Sequence, residues 1–197
     1  MIAAYAAFLL SAIALLGSPG PGIAALVAVG RADGLQGGLR FYGGMQIGLA
    51  AAAILCGIGL FSALAAIPGA LTVMTVGGVA YLLYLAWQIA SAPVGVAAEE
   101  VQVTASAAGG FVLGAFNPKA YLALGALMAA HTLIPGNVVL DAATKTALCI
   151  AVMVIVDLAW LAAGAGLKTV RLAPARERMV NLLLGASVAA AALAAMI

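Results

Sequence analysis

Long apolar runs broken by short polar stretches set the pattern of this chain. The first run, Ile2 to Val29, is followed by the polar connection Arg31-Ala-Asp33-Gly34 and Arg40. The second covers about Phe41–Phe61 and closes at the Pro68-Gly69 turn signal. A third occupies about Ala70–Ala90, with Tyr81, Tyr84 and Trp87 near one end as an interfacial aromatic belt would have. After a long polar connection over about 91–108 come a fourth run, Ala107–His131, and the turn Ile134-Pro-Gly-Asn137. The fifth spans about Thr146–Leu167, and the sixth about Met179–Ile197. Runs of this length are those of bilayer-spanning helices, which need ~20 apolar residues.

Composition supports the same class. The chain is 66% hydrophobic and 7% charged, against roughly 45–50% and about 25% in soluble domains. A net charge of +2 without clustered bases gives nucleic acid no footing. The start, Met-Ile-Ala-Ala-Tyr, lacks the basic region of a signal peptide, so the first run is expected to serve as a span. Arg31, Arg40, Lys168, Arg171, Arg176 and Arg178 fall in the first, third and fifth connections, and Lys145 alone falls on the opposite side. The positive-inside rule then places those three connections in the cytoplasm and both termini outside. Three spans per half is an odd number, so a repeat relating the halves must be inverted. The expected fold is an all-α integral membrane protein of six helices in one transporter domain. Its first repeat is about 1–92, the connecting loop about 93–106, and the second repeat about 107–197.

Two runs are interrupted inside. Ser18-Pro19-Gly20-Pro21-Gly22 sits within the first, and Asn117-Pro118-Lys119 within the fourth, half a chain later. Pro removes a backbone donor and clashes with the preceding turn, so both helices should break. Irregular backbone at membrane depth is tolerated only where it is buried in protein or lines a cavity. Ser18 and Asn117 read as N-caps, each followed by Pro at the first helical position. A restarted helix offers unpaired N–H groups and its positive dipole end to an anion such as a carboxylate. Gly20 and Gly22 would let a substrate approach the backbone.

Charges inside these runs sharpen the expectation. Lys119 would draw an anion to the second break; the plain alternative is a loop lysine snorkelling to the surface. Asp157 is the acid well inside a run, able to carry a coupling proton, hold a substrate ammonium, or pair with Lys119. Trp160 follows one turn later on the same face and could wall a cavity or simply pack. Gln46 and Tyr81 are further candidates for the cavity wall. Gln88 and His131 read as packing or interfacial residues. Gly44-x-x-x-Gly48 suits close helix packing. No metal-ligand cluster, hydrolytic triad or phosphate loop stands in the sequence, and no cofactor is implied.

Together, Ser18-Pro19-Gly20-Pro21, Asn117-Pro118-Lys119-Ala120, Asp157-Leu-Ala-Trp160 and Gly78-Val-Ala-Tyr81-Leu82 resemble the LysE/RhtB family of amino-acid exporters. The resemblance covers essentially the whole chain in order and spacing. It implies a six-span permease of the bacterial inner membrane, not an enzyme. Such proteins move amino acids or related small metabolites outward, in exchange for protons, and often as dimers. Leu127 to His131 departs from the aromatic stretch usual after the family's fourth span. By this reading the helix restarts and Lys119 take a carboxylate, Trp160 joins the substrate site, and Asp157 couples the proton.

Two other readings compete. Divalent cation efflux would need more hard or borderline ligands than one intramembrane acid and one His supply. A membrane thiol–disulfide electron carrier would use Cys56 and Cys149, which sit in corresponding spans of the two halves. Neither lies in a Cys-x-x-Cys motif or beside a break, where a reactive thiol would be expected.

Overall fold

In the computed structural model, residues 2–59, 66–91, 106–168 and 173–194 are described, and all their regular structure is helical. The helices are α1 Ile2–Leu16, α2 Pro21–Gly57, α3 Ala70–Ser91, α4 Ala107–Ala115, α5 Pro118–Ala130, α6 Val138–Lys168 and α7 Pro174–Ala194. Most of the expected 93–106 connection, the base Arg171 and the run ends at Phe61 and Ile197 lie outside the described residues.

Both expected breaks are present. Helix α1 stops at Leu16, and α2 starts at Pro21. Helices α4 and α5 are bent by 49° at Phe116-Asn117. Among the described residues two helices, Pro21–Gly57 and Val138–Lys168, are long and apolar enough to cross a membrane, and the bent α4–α5 pair is a third where it is counted as one span.

Helix α2 is not straight. Gly34, at φ 74° and ψ −177°, adopts a positive φ that side-chain-bearing residues rarely take. The chain turns back there. In a straight helix Gly22 and Met45 would lie roughly 35 Å apart, yet a Cβ on Gly22 would stand 3.7 Å from Met45 Sδ. The polar stretch from Arg31 to Arg40 is therefore helical on both sides of one glycine turn, not an open loop. Polar side chains cannot by themselves stop a helix whose neighbours have good propensity. Arg31 is buried and donates to Leu167 O at 3.0 Å, tying this turn to the end of α6.

The two limbs of α2 form the centre, with α4 and α6 packed against them, while α3 pairs with α7. Small residues allow the approach. A Cβ on Gly44 would run into Ala107 O, and one on Gly48 into Phe111 O. From the other side, Gly110 meets Phe41 O and Gly114 meets Met45 O. Gly30 and Gly164 repeat the device between α2 and α6. Backbones this close gain dispersion contacts that lipid cannot supply. Large side chains such as Ile47, Ile54, Ile155 and Leu183 point outward and are exposed, as suits an acyl-chain surround.

Helix α6 starts earlier than the apolar run suggests. Asp141 and Lys145 are buried on its first turns and form an ion pair at 2.7 Å. Lys145 is thus a helix residue and not a loop base. Likewise α7 begins at Pro174, so Arg176 and Arg178 lie in its first turns.

Candidate functional site at the two helix breaks

The first break forms because Pro19 and Pro21 carry no N–H and cannot continue α1. Ser18 does not cap the second helix: its Oγ donates back to Leu15 O at 2.9 Å, closing the end of α1. Gly20 takes the N-cap position in extended conformation, with Pro21 in the first turn and no side-chain cap. A proline at residue 19 leaves position 20 as the first place the chain can turn into a new helix. The early amides of α2 therefore lack a side-chain acceptor, and Gly22 and Ile23 face a cavity.

The second break is built as its sequence suggests. Asn117 is buried and caps α5, its Oδ1 accepting from Lys119 N at 3.1 Å, with Pro118 following. Asn117 O accepts from Ala120 N and Tyr121 N. Tyr121 Oη donates to Ala115 O at 2.9 Å, satisfying a carbonyl at the end of α4. This break spends its amides on itself, so the expected symmetry of two anion-binding restarts is not what the structure has. Open amides belong to the first break alone.

The breaks face each other. Lys119 Nζ donates to Ser18 Oγ at 2.9 Å, to Pro19 O at 3.0 Å and to Ser18 O. Its stem lies along Gly20, where a Cβ would come within 2.7 Å of Lys119 Cδ. A Cβ on Gly22 would stand 3.4 Å from Asn117 Nδ2. The space that glycine leaves at residue 20 is filled by the lysine stem.

Between the breaks lies a cavity of about 40 Å³. Its wall includes Ser18, Gly20, Gly22, Asn117, Lys119 and Asp157. By volume it holds a few waters, so a larger solute enters only if the walls move. Asp157 is buried and accepts from Gln46 Nε2 at 2.8 Å. It is not paired with Lys119, whose ammonium is taken up by the first break. A cation and an acid thus share one small space without neutralising each other directly.

Other expected site residues fall elsewhere. Trp160 is off the cavity wall and donates Nε1–H to Gly17 O at 3.3 Å, anchoring α6 to the first break. Tyr81 does not line the cavity: its hydroxyl packs onto Gly109 of α4. Tyr84 and Trp87 are exposed on α3, as an aromatic belt requires. Pro19, Pro21 and Pro118 shape the breaks and stay off the cavity wall. Gln46 is off the cavity wall and meets it only through its bond to Asp157. Cys56 and Cys149 are buried free thiols away from this cavity. His131 ends α5, its ring edge-on to Phe8 with centroids 5.4 Å apart.

One cluster has no counterpart in the sequence-based expectations. Asp141 Oδ1 accepts from Leu133 N at 2.6 Å and Ile134 N at 2.8 Å. Lys145 Nζ donates to Met128 O and His131 O, both at 2.8 Å. The pair clamps the end of α5 and the following turn onto α6. The i,i+4 spacing of opposite charges was the available signal.

A family model, LysE type translocator, matches residues 13–197. The chain belongs to that family. This LysE-type translocator is accordingly a membrane transport protein of amino acids or related compounds, and not an enzyme. No curated protein and no solved structure matches the chain. The match spans both breaks, the cavity between them and Asp157, so the site lies wholly inside the matched residues.

Proposed function

We propose that this translocator exports an amino acid or similar zwitterion across the bacterial inner membrane in exchange for protons. The observation that carries the reading is one cavity shared by both helix breaks, with Lys119 and Asp157 on its wall. The open amides at the start of α2 and the Lys119 ammonium supply a carboxylate site. Asp157, held by Gln46, takes the coupling proton. A buried acid at membrane depth is costly and is retained where it titrates or binds.

The architecture we propose has six spans in two inverted halves. The turn at Gly34 supports dividing α2 between the first and second spans. The six are then α1 with residues 21–33, residues 35–57, α3, α4 with α5, α6 and α7. Arg31 donates to Leu167 O, and a Cβ on Gly34 would lie 3.7 Å from Lys168 Nζ. This gathering of bases at one end of the bundle supports placing that end in the cytoplasm and the termini outside. Rocking of one half against the other would open the small cavity to each side in turn.

Counterflow in proteoliposomes loaded with each common amino acid tests the reading. Selective exchange of a few amino acids, lost in Lys119→Ala, is the expected result. Absence of exchange with every amino acid, from protein shown to be folded, would sink it.

A further inference from the structure

The prolines that make the first break also leave it short of donors. Pro19 and Pro21 have no N–H for Leu15 O and Gly17 O, which Ser18 Oγ and Trp160 Nε1 serve instead. Ser18 O and Pro19 O lie between the helices with no helical partner. Ser18 O, Pro19 O and Ser18 Oγ converge on one point, at the negative end of the α1 dipole. The group at that point is a primary ammonium, Lys119 Nζ, which arrives from the opposite break. Three oxygens around three N–H donors is a complete coordination for any R–NH₃⁺. Asp157, on the same cavity wall, favours a cation there as well.

We infer that Ser18 O, Ser18 Oγ and Pro19 O form a binding site for a primary ammonium group, which Lys119 fills as a tethered stand-in when no substrate is bound. Lys119 cannot turn to a substrate carboxylate without abandoning these oxygens. Ser18 is half-buried and Pro19 exposed, but at membrane depth acceptors left without a donor are costly, so departure of one ammonium calls for another. A zwitterion brings its own: its ammonium replaces that of Lys119 in the cradle, and the released lysine pairs with its carboxylate. The exchange keeps every acceptor satisfied, and it would not do so for a plain carboxylic acid. The cradle itself stands on geometry alone; only the substrate's part in the swap rests on the transport reading above.

The test uses simple amines on the purified full-length protein. Lys119→Ala removes the Cγ, Cδ, Cε and Nζ atoms, a volume that n-propylammonium replaces. The apparent Tm of this variant should rise by roughly 3–5 °C once the amine is about tenfold above its Kd. Methylammonium and pentylammonium should do less, tetramethylammonium, which has no N–H, nothing, and wild type should not respond. Adding Ser18→Ala to Lys119→Ala should weaken propylammonium binding several-fold. The cradle is overturned if no primary amine stabilises Lys119→Ala, or if tetramethylammonium does so equally. It is also overturned if Ser18→Ala changes nothing while Asp157→Asn abolishes the effect, because the amine then sits on the carboxylate. Should Lys119→Ala fail to fold with or without amine, Lys119→Met keeps the stem and vacates only the Nζ position. Ammonium chloride then becomes the probe, and no stabilisation relative to tetramethylammonium chloride refutes the site. Amine binding without amino-acid exchange would leave the cradle standing and remove the amino-acid exchange reading; the reverse pattern would do the opposite.

Discussion

Gln46 donates its side-chain amide to Asp157 Oδ2 at 2.8 Å, joining the second limb of α2 to α6 beside the cavity. Asn at position 157 keeps the size and an oxygen acceptor for that bond but cannot bind or release a proton. Asp157→Asn is therefore expected to retain amino-acid counterflow within a few-fold while losing its response to an imposed pH gradient. Proteoliposome exchange with and without the gradient reads both effects. Equal loss of both activities would make Asp157 a substrate ligand and not the coupling group.

Gln46→Leu should behave differently. It leaves the Asp157 carboxylate buried with its donor removed, a loss on the order of 1–3 kcal/mol. Counterflow and apparent Tm should both fall, because the carboxylate that loses its donor stands on the cavity wall. Unchanged counterflow with lowered thermal stability would reduce Gln46 to packing.

Much of this site was legible in the sequence because prolines and glycines state their backbone consequences locally. Pro19, Pro21 and Pro118 announce breaks wherever they stand in an apolar run, and Asn117 announces its cap. What the local rules could not decide was which residue uses the broken ends. Ser18 is a good N-cap by type, yet the proline after it moves the helix start to Pro21 and turns Ser18 back toward α1. Reach across the fold was equally hidden: Tyr81 points to Gly109 and Trp160 to Gly17, pairings that depend on how helices pack. Hydropathy also placed the start of α6 too late, because a buried ion pair looks polar until its partners are seen.

The Asp141–Lys145 pair fixes the helix that carries Lys119 to the helix that carries Asp157. Asp141→Ala orphans the Leu133 and Ile134 amides and leaves Lys145 without its counter-charge. The expected cost is about 1–3 kcal/mol. A lowered Tm in detergent should come with weaker exchange, whereas Asp141→Asn, which keeps one acceptor oxygen, should lose less of each.

Cys56 and Cys149 provide a check on the class of activity. Both are free and buried, and neither lines the cavity. The double variant Cys56→Ala/Cys149→Ala should exchange amino acids at close to the wild-type rate. Complete loss of exchange in folded double-variant protein would mean that the two buried thiols belong to the packing on which transport depends.

Gly20 and Gly22 separate a functional glycine from a merely small one. A Cβ on Gly20 would stand 2.7 Å from Lys119 Cδ and 2.8 Å from Nζ. Those atoms end a flexible side chain, so Gly20→Ala should fold, with the ammonium pushed off Ser18 and Pro19. A Cβ on Gly22 would meet Asn117 Nδ2 at 3.4 Å and Met45 Sδ at 3.7 Å, which are ordinary contacts. Neither glycine has a positive φ, so backbone conformation does not confound the comparison. Gly20→Ala should lower counterflow at least as far as loss of a charged hydrogen bond would, roughly tenfold or more. Gly22→Ala should remain within about twofold, since its new methyl group makes no close clash. Thermal melts of both variants must accompany the transport assay. Equal transport by the two alanine variants would mean that the Lys119 position at the first break does not govern exchange.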